Sequence, residues 1–206
     1  MNDDDIDMIE RREAFRGYLR IDAYRLRHRL FAGAWGTPLV REVLNRGRCA
    51  GVLLFDPVRD IVVLIEQFRI GALAAGRAPW VVEVVAGVIE HNEDAGTVAR
   101  REAREEAGCE ILDLLPIHDY IVSPGCSSET VALFCGRVDA SHVGGVHGLA
   151  HEGEDIRVDA VPVAEAFAAL AEGRVANSMS IIALQWLALN REALGRRWPG
   201  VGRPRT

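Results

Sequence analysis

The sequence predicts a mixed α+β sandwich, built as one ordinary domain with an N-terminal extension. Three observations carry this. The chain has 206 residues, enough to bury a core without disulfides or metals as staples. Its short apolar runs outnumber its helical segments. Those runs do not alternate regularly with helices, as a doubly wound parallel sheet requires. Hydrophobic residues make up 49% and charged residues 26% of the chain, which excludes wholesale disorder.

Taken in order, residues 15–31 alternate loosely and read as one or two strands. Residues 48–55 and 61–69 are apolar runs split by Asp56, Pro57 and Asp60, a hairpin pattern. Residues 80–85 form another short strand. A helix follows over 93–107, with Gly108 placed to leave it in a left-handed conformation. Residues 111–122 and 129–138 read as two strands around Ser123, Pro124 and Gly125. The Gly- and His-rich stretch 139–154 reads as a mobile loop, and 155–161 as a strand. Two helices close the chain near 162–172 and 178–190, and the Arg/Pro/Gly-rich tail from Gly195 is expected to fray. The expected division is 1–46 as dimerising strands, 47–194 as the main domain and 195–206 as a flexible tail. The Arg-rich N-terminal ribbon has no obvious sheet mate within the domain, so a homodimer with these strands crossing to the partner is expected.

Composition excludes several functions. The net charge is −6, so nucleic acid is not an expected partner. All 24 basic residues are arginine, which rules out a Schiff-base lysine. No apolar stretch approaches the ~18–20 residues of a membrane span, and the acidic N-terminus lacks the apolar core of a secretory signal. Cys49, Cys109, Cys126 and Cys135 show no CxxC spacing, against a zinc ribbon or dithiol motif. Scattered cysteines fit a reduced, cytoplasmic setting.

The informative stretch is 86–109, AGVIEHNEDAGTVARREAREEAGC. On a helix turning ~100° per residue, with Glu102 at zero, Glu106 falls at ~40° and Glu105 at ~300°. All three share one sector, with Ala95, Val98, Ala99 and Ala103 in or beside it, while Arg100, Arg101 and Arg104 turn the other way. A glutamate run is ordinarily a solvated helix face, but here the acids coincide with the small apolar residues. Clustered carboxylates repel. Arg101, four residues before Glu105, can neutralise one of them. The remainder calls for a divalent cation, and all-oxygen ligands point to Mg²⁺ or Mn²⁺ rather than zinc. Gly87 alone reads equally as a turn glycine. Trp80 reads as core or interface before base stacking. His142, His147 and His151 make no HExxH pattern, and Ser127 and Ser128 lack a positioned base.

The run Gly87-x5-Glu93-x7-Arg101-Glu102-Ala103-x-Glu105-Glu106-x-Gly108-Cys109 resembles the complete Nudix box, GX5EX7REUXEEXGU, with small residues at the two bulky-aliphatic positions. From about Tyr18 to Leu189 the chain further resembles the bacterial ADP-ribose pyrophosphatase branch of that family. Pro124 stands 16 positions past Gly108, the segment 123–129 resembles the branch's SPG turn, and 147–156 resembles its catalytic loop.

The resemblance implies a Nudix fold, an α/β/α sandwich with a mixed sheet, whose N-terminal antiparallel strands are swapped in a dimer. It implies Mg²⁺-dependent hydrolysis of ADP-ribose to AMP and ribose 5-phosphate. Glu102, Glu105 and Glu106 would hold two or three Mg²⁺ ions, with the Ala86 carbonyl as a further ligand and Glu154 as a ligand or its support. Mn²⁺ is the alternative ion. Glu152 would be the general base, with Glu105 and Arg101 also in the catalytic group and Arg101 serving as counter-ion. Glu93, Gly87 and Gly108 would hold the loop–helix geometry. Tyr18 and Arg41, from the same or the partner subunit, would contact the adenine end. Arg69 would grip phosphate. Glu83 and Glu129 would meet substrate hydroxyls or the metal shell, and Gly87 and Pro124 would border the substrate. The alternatives are hydrolysis of another nucleoside diphosphate sugar, such as GDP-mannose, and a non-catalytic ADP-ribose sensor.

Overall fold

The computed structural model describes residues 3–149, 151 and 153–199. Among these described residues, a short 3-10 turn at Asp3–Asp5 leads into eleven strands and four helices. These are β1 (Ile6–Arg16), β2 (Arg20–His28), β3 (Leu39–Asn45), β4 (Arg48–Asp56), β5 (Ile61–Phe68), α1 (Ile70–Ala74), β6 (Trp80–Glu83), β7 (Val85–Ile89), α2 (Ala95–Ala107), β8 (Asp113–Ile121), β9 (Thr130–Arg137), β10 (Gly145–His147), β11 (Ile156–Pro162), α3 (Val163–Ala171) and α4 (Ser178–Arg197). They divide into two compact units. One comprises Met1–Arg48 with Tyr120–Thr130, and the other Cys49–Asp119 with Val131–Thr206.

The first unit is the antiparallel sheet β1-β2-β3. The ribbon therefore finds its sheet mates within itself, and the lack of a mate expected from sequence is corrected. The acidic start becomes a strand because its charges are answered across the pair. Arg27 donates to Asp7 at 2.7 Å, and Arg11 and Arg20 both bind the buried Asp22 at 2.8–2.9 Å. Asn45 of β3 donates to the same carboxylate. These donors hold the Asp22 carboxyl well below the usual carboxylate range. The 120–130 segment joins this unit through β3. Leu44 N–H donates to the Cys126 carbonyl, and Ser128 N–H to the Leu44 carbonyl.

The second unit is organised by the larger sheet, in the order β10-β11-β5-β4-β9-β8, with β6 on β5 and β7 on β4. Alternation along β4 separates its two faces. Ala50, Val52 and Leu54 pack with Val98, Ala99 and Ala103 of α2 in one core cluster. Gly51 and Phe55 point the other way. A Cβ on Gly51 would strike Met179 of α4, and the Phe55 ring lies 6.5 Å from that of Trp198. The result is a sheet covered by α2 on one side and α4 on the other.

The tail expected to fray from Gly195 is instead helical through Arg197, and Trp198 is 2% exposed. Its indole donates to Asp113 at 2.8 Å, beside Arg197 on the same carboxylate. Burial of a large ring holds this end in place, not its polar composition; residues 200–206 lie outside the described residues. The loop 139–154 also carries a short strand, β10, on β11.

Candidate active site

The local sequence fixes the α2 framework from both ends. Asp94 caps the N-terminus by accepting from the Thr97 N–H at 2.9 Å. Gly108 closes the C-terminus at φ 62°, and the Cys109 N–H returns to the Ala103 carbonyl at 2.8 Å. Ala103 and Cys109, the two small residues at the bulky-aliphatic positions of the motif, are both buried in the core. Small side chains here bring α2 close to the sheet.

That close approach brings Glu102 and Glu106 against β7. Glu106 is 4% exposed, and one of its oxygens accepts from the Ala86 N–H at 3.1 Å. A Cβ on Gly87 would overlap the Glu102 carboxylate, so glycine leaves the room this acid occupies. Glu102 retains 14% side-chain exposure, against 38% for Glu105. The three acids share a sector, but only two are driven inward.

Arg101 lies within this cluster, and the expectation that it faces outward is corrected. It binds Glu93 at 2.7 Å and Glu102 at 2.9 Å, with Glu105 farther off at 3.7 Å. Its principal partners are thus not the i+4 acid. Glu93 also accepts from the Glu90 N–H at 2.9 Å, which ties the loop before α2 to the arginine. Arg100 instead reaches the Ile111 carbonyl, and Arg104 is exposed.

The electrostatics follow from burial. Removal from water pushes the Glu106 carboxyl up to about 8, against the opposing Ala86 N–H, with Glu102 and Glu154 adding repulsion and Arg69 attraction. Burial also raises Glu102, opposed by Arg101 and reinforced by Glu105 and Glu154. Glu154 is therefore electrostatically part of the cluster. One of its oxygens accepts from the Leu149 N–H at 2.9 Å, which closes the loop before β11. Arg69 is joined to Glu83 at 2.7 Å. Asn177, the N-cap of α4, donates to the other Glu83 oxygen, and Ser180 Oγ accepts from the Val84 N–H. These two supports carried no functional signal in the sequence, nor did Gln67, whose buried side-chain nitrogen has no hydrogen-bond partner among the described residues.

The second unit thus contains Arg69, Glu83, Ala86, Gly87, Glu93, Arg101, Glu102, Glu105, Glu106, Gly108 and Glu154. Tyr18, Arg41, Pro124 and Glu129 belong to the first unit. There Tyr18 is 92% exposed beneath the Arg46 guanidinium, Arg41 lies opposite Tyr24, and Glu129 is half-buried. Pro124 sits in the exposed turn whose Ser123 carbonyl accepts from Cys126 and Ser127. Glu152 lies outside the described residues.

Among the described residues, no three His, Cys, Asp or Glu side chains stand at ion-holding distances as placed. Arg101 supplies the positive charge in this arrangement. The donor set nonetheless suits a hard divalent cation. It is all oxygen, and it includes two inward acids whose charged forms burial disfavours until a cation compensates them. Among the same residues, no helix is long and apolar enough to cross a membrane.

Residues 45–183 match the NUDIX domain model. The chain belongs to the Nudix family, and it is a Nudix hydrolase by fold and relatives. It is 47% identical over 194 residues to an ADP-ribose pyrophosphatase of Escherichia coli (strain K12), covering 94% of this chain and 93% of that one. An ADP-ribose pyrophosphatase of Haemophilus influenzae is 38% identical, over 94% of this chain and 91% of its own. A GDP-mannose pyrophosphatase of Citrobacter koseri is 30% identical, over 71% of this chain and 76% of its own. A crystal structure of an ADP compounds hydrolase superposes with a TM-score of 0.72 at 17% identity, covering 93% of this chain and 97% of that one, a likeness of fold.

Proposed function

We propose that this protein hydrolyses the diphosphate bond of ADP-ribose, releasing AMP and ribose 5-phosphate, with Mg²⁺. The observation that carries the chemistry is the pair of inward acids, Glu102 and Glu106, set against β7 and within electrostatic reach of Glu154. The substrate rests on the relatives: those named ADP-ribose pyrophosphatases match nearly the whole chain at higher identity than the GDP-mannose pyrophosphatases do.

In this reading Glu102, Glu105, Glu106, Glu154 and the Ala86 carbonyl hold two or three ions, with Mn²⁺ as the alternative metal. A cation held by these residues would neutralise the diphosphate and acidify the attacking water. Water attacks one phosphorus, the bridging P–O bond breaks, and Glu152 accepts the proton. Arg101 keeps the acids together and Glu93 holds Arg101. Arg69 exchanges Glu83 for phosphate, and Glu83 and Glu129 serve substrate hydroxyls or the metal shell. Gly87 and Pro124 border the substrate, and Tyr18 and Arg41 contact its adenine end. The reading includes a cytoplasmic homodimer joined through residues 15–45. Exposed Phe15, Leu19, Leu30, Phe31 and Val40 within that span support such an interface.

A substrate panel with and without Mg²⁺, run in ¹⁸O-water with product analysis, tests this. ADP-ribose should be split fastest, only with metal, and the label should identify the attacked phosphorus. Turnover of ADP-ribose no faster than GDP-mannose would defeat the substrate assignment. ADP-ribose binding without turnover would favour a sensor.

A further inference from the structure

Gln67 is 8% exposed, and its side-chain nitrogen is buried with no hydrogen-bond partner among the described residues. Native structures keep few such donors, because an unmade buried hydrogen bond is expensive.

The strands place this donor at the edge of the site. β5 and β11 pair with Ile65 opposite Val158 and Glu66 opposite Arg157. Ile65, Val158 and Ile156 all pack in the core beneath α2. Side chains alternate along strands, and Arg69 keeps an extended backbone. One face of β5 therefore runs Ile65, Gln67, Arg69. On its neighbour the same face carries Val158 and Ile156, and Glu154 stands two residues before Ile156, outside the strand. Arg69 acts electrostatically on Glu106, and Glu154 on both Glu102 and Glu106. Gln67 is thus the last step between the apolar core and the charged cluster. On its other side β6 sets Val81 opposite Gln67 and Glu83 opposite Ile65.

The surrounding carboxylates are engaged elsewhere. Glu83 binds Arg69 and Asn177, Glu106 accepts from Ala86, and Glu154 accepts from Leu149. None of them accepts from Gln67. An acceptor brought by a ligand would complete this donor. Of the groups on a nucleoside diphosphate sugar, the diphosphate oxygens accept only, whereas the hydroxyls also donate and so require acceptors. Arg69, the next residue on this face, is 45% exposed and can turn toward the same anion.

We infer that Gln67 is a substrate-binding residue whose carboxamide N–H donates to a diphosphate oxygen of the nucleoside diphosphate sugar. This rests on the function proposed above. It also gives the buried carboxamide nitrogen an acceptor that the described residues do not supply.

The test is Gln67→Met, which keeps length and volume and deletes both polar atoms. Three quantities are measured: KM and kcat for ADP-ribose with Mg²⁺, the Kd of a methylene-bridged ADP-ribose analogue by calorimetry with Mg²⁺, and the thermal midpoint in EDTA. KM and the analogue Kd should rise together, tenfold or more, with the midpoint unchanged or higher. Values within twofold of wild type would overturn the inference. Should Gln67→Met lower the midpoint, Gln67→Glu decides instead. It keeps the shape and sets a carboxylate against phosphate, so KM must rise more than tenfold, and a KM within twofold of wild type overturns the inference. If the wild type prefers another nucleoside diphosphate sugar, the same measurements are made with that sugar. Wild-type protein that turns over no such compound defeats the functional reading and this inference with it. Wild-type turnover with an indifferent Gln67→Met defeats this inference alone.

Discussion

Glu106→Gln should make the metal-free protein more stable at neutral pH while removing most of its activity. Glu106 is 4% exposed, and burial pushes its carboxyl from 4.5 up to about 8. The folded protein therefore keeps this proton up to about pH 8, while the unfolded chain releases it above 4.5. Unfolding releases a proton in that window, so stability falls as pH rises through it. By pH 7 the loss amounts to about 3 kcal/mol, at ~1.4 kcal/mol per pH unit, a large share of a typical total of roughly 5–15 kcal/mol. Glutamine cannot ionise, and its carbonyl can still accept from the Ala86 N–H. Urea unfolding of both proteins in EDTA from pH 4.5 to 8 checks this. The two should nearly coincide at the acid end and separate by about 3 kcal/mol at pH 7, with the variant more stable. Mg²⁺ should stabilise the wild type more than the variant, and kcat should fall at least ~10²-fold. A variant less stable at pH 7, or a gap that ignores pH, would refute the burial argument.

Two further outcomes follow from packing. Gly87→Ala places a methyl where the Glu102 carboxylate sits. It should cost about 1–3 kcal/mol through overpacking and lower kcat/KM at least ~10-fold by displacing the acid, read by urea unfolding beside steady-state kinetics. Trp198→Ala removes a buried ring and a donor to Asp113. A loss of about 3–5 kcal/mol is expected in the same unfolding assay, although the residue follows the last helix in a segment rich in arginine, proline and glycine.

Residues that report through local physics were legible in the sequence. The spacing from Gly87 to Cys109 announced a capped helix with acids on its apolar side, and β4, β5, β8 and β9 announced themselves as apolar runs around turn residues. β1 was not legible, because Asp7 and Asp22 gain their strand-stabilising partners only when Arg27, Arg11 and Arg20 arrive across the sheet. The anchoring of Trp198 was equally hidden, since its acceptor lies 85 residues away in the chain. The helical wheel located the acids but misplaced Arg101, because an angle about the axis ignores reach. A long guanidinium can fold back over the turn to meet Glu93 and Glu102.

That reach bears on how the site tolerates itself. Four carboxylates, Glu93, Glu102, Glu105 and Glu106, fall within two turns of one another or of the loop before them, and one arginine answers the first three. Glu106, turned away from Arg101 toward the Ala86 N–H, has no ion pair among the described residues and is the acid whose proton is held most firmly. Charge accumulates first where arginine and solvent reach it, and last where a bound cation would have most effect. Neutralising Arg101 would therefore disturb Glu93 and Glu102 directly and Glu106 only through them. Losing the ion would leave Glu106 protonated in an otherwise intact framework.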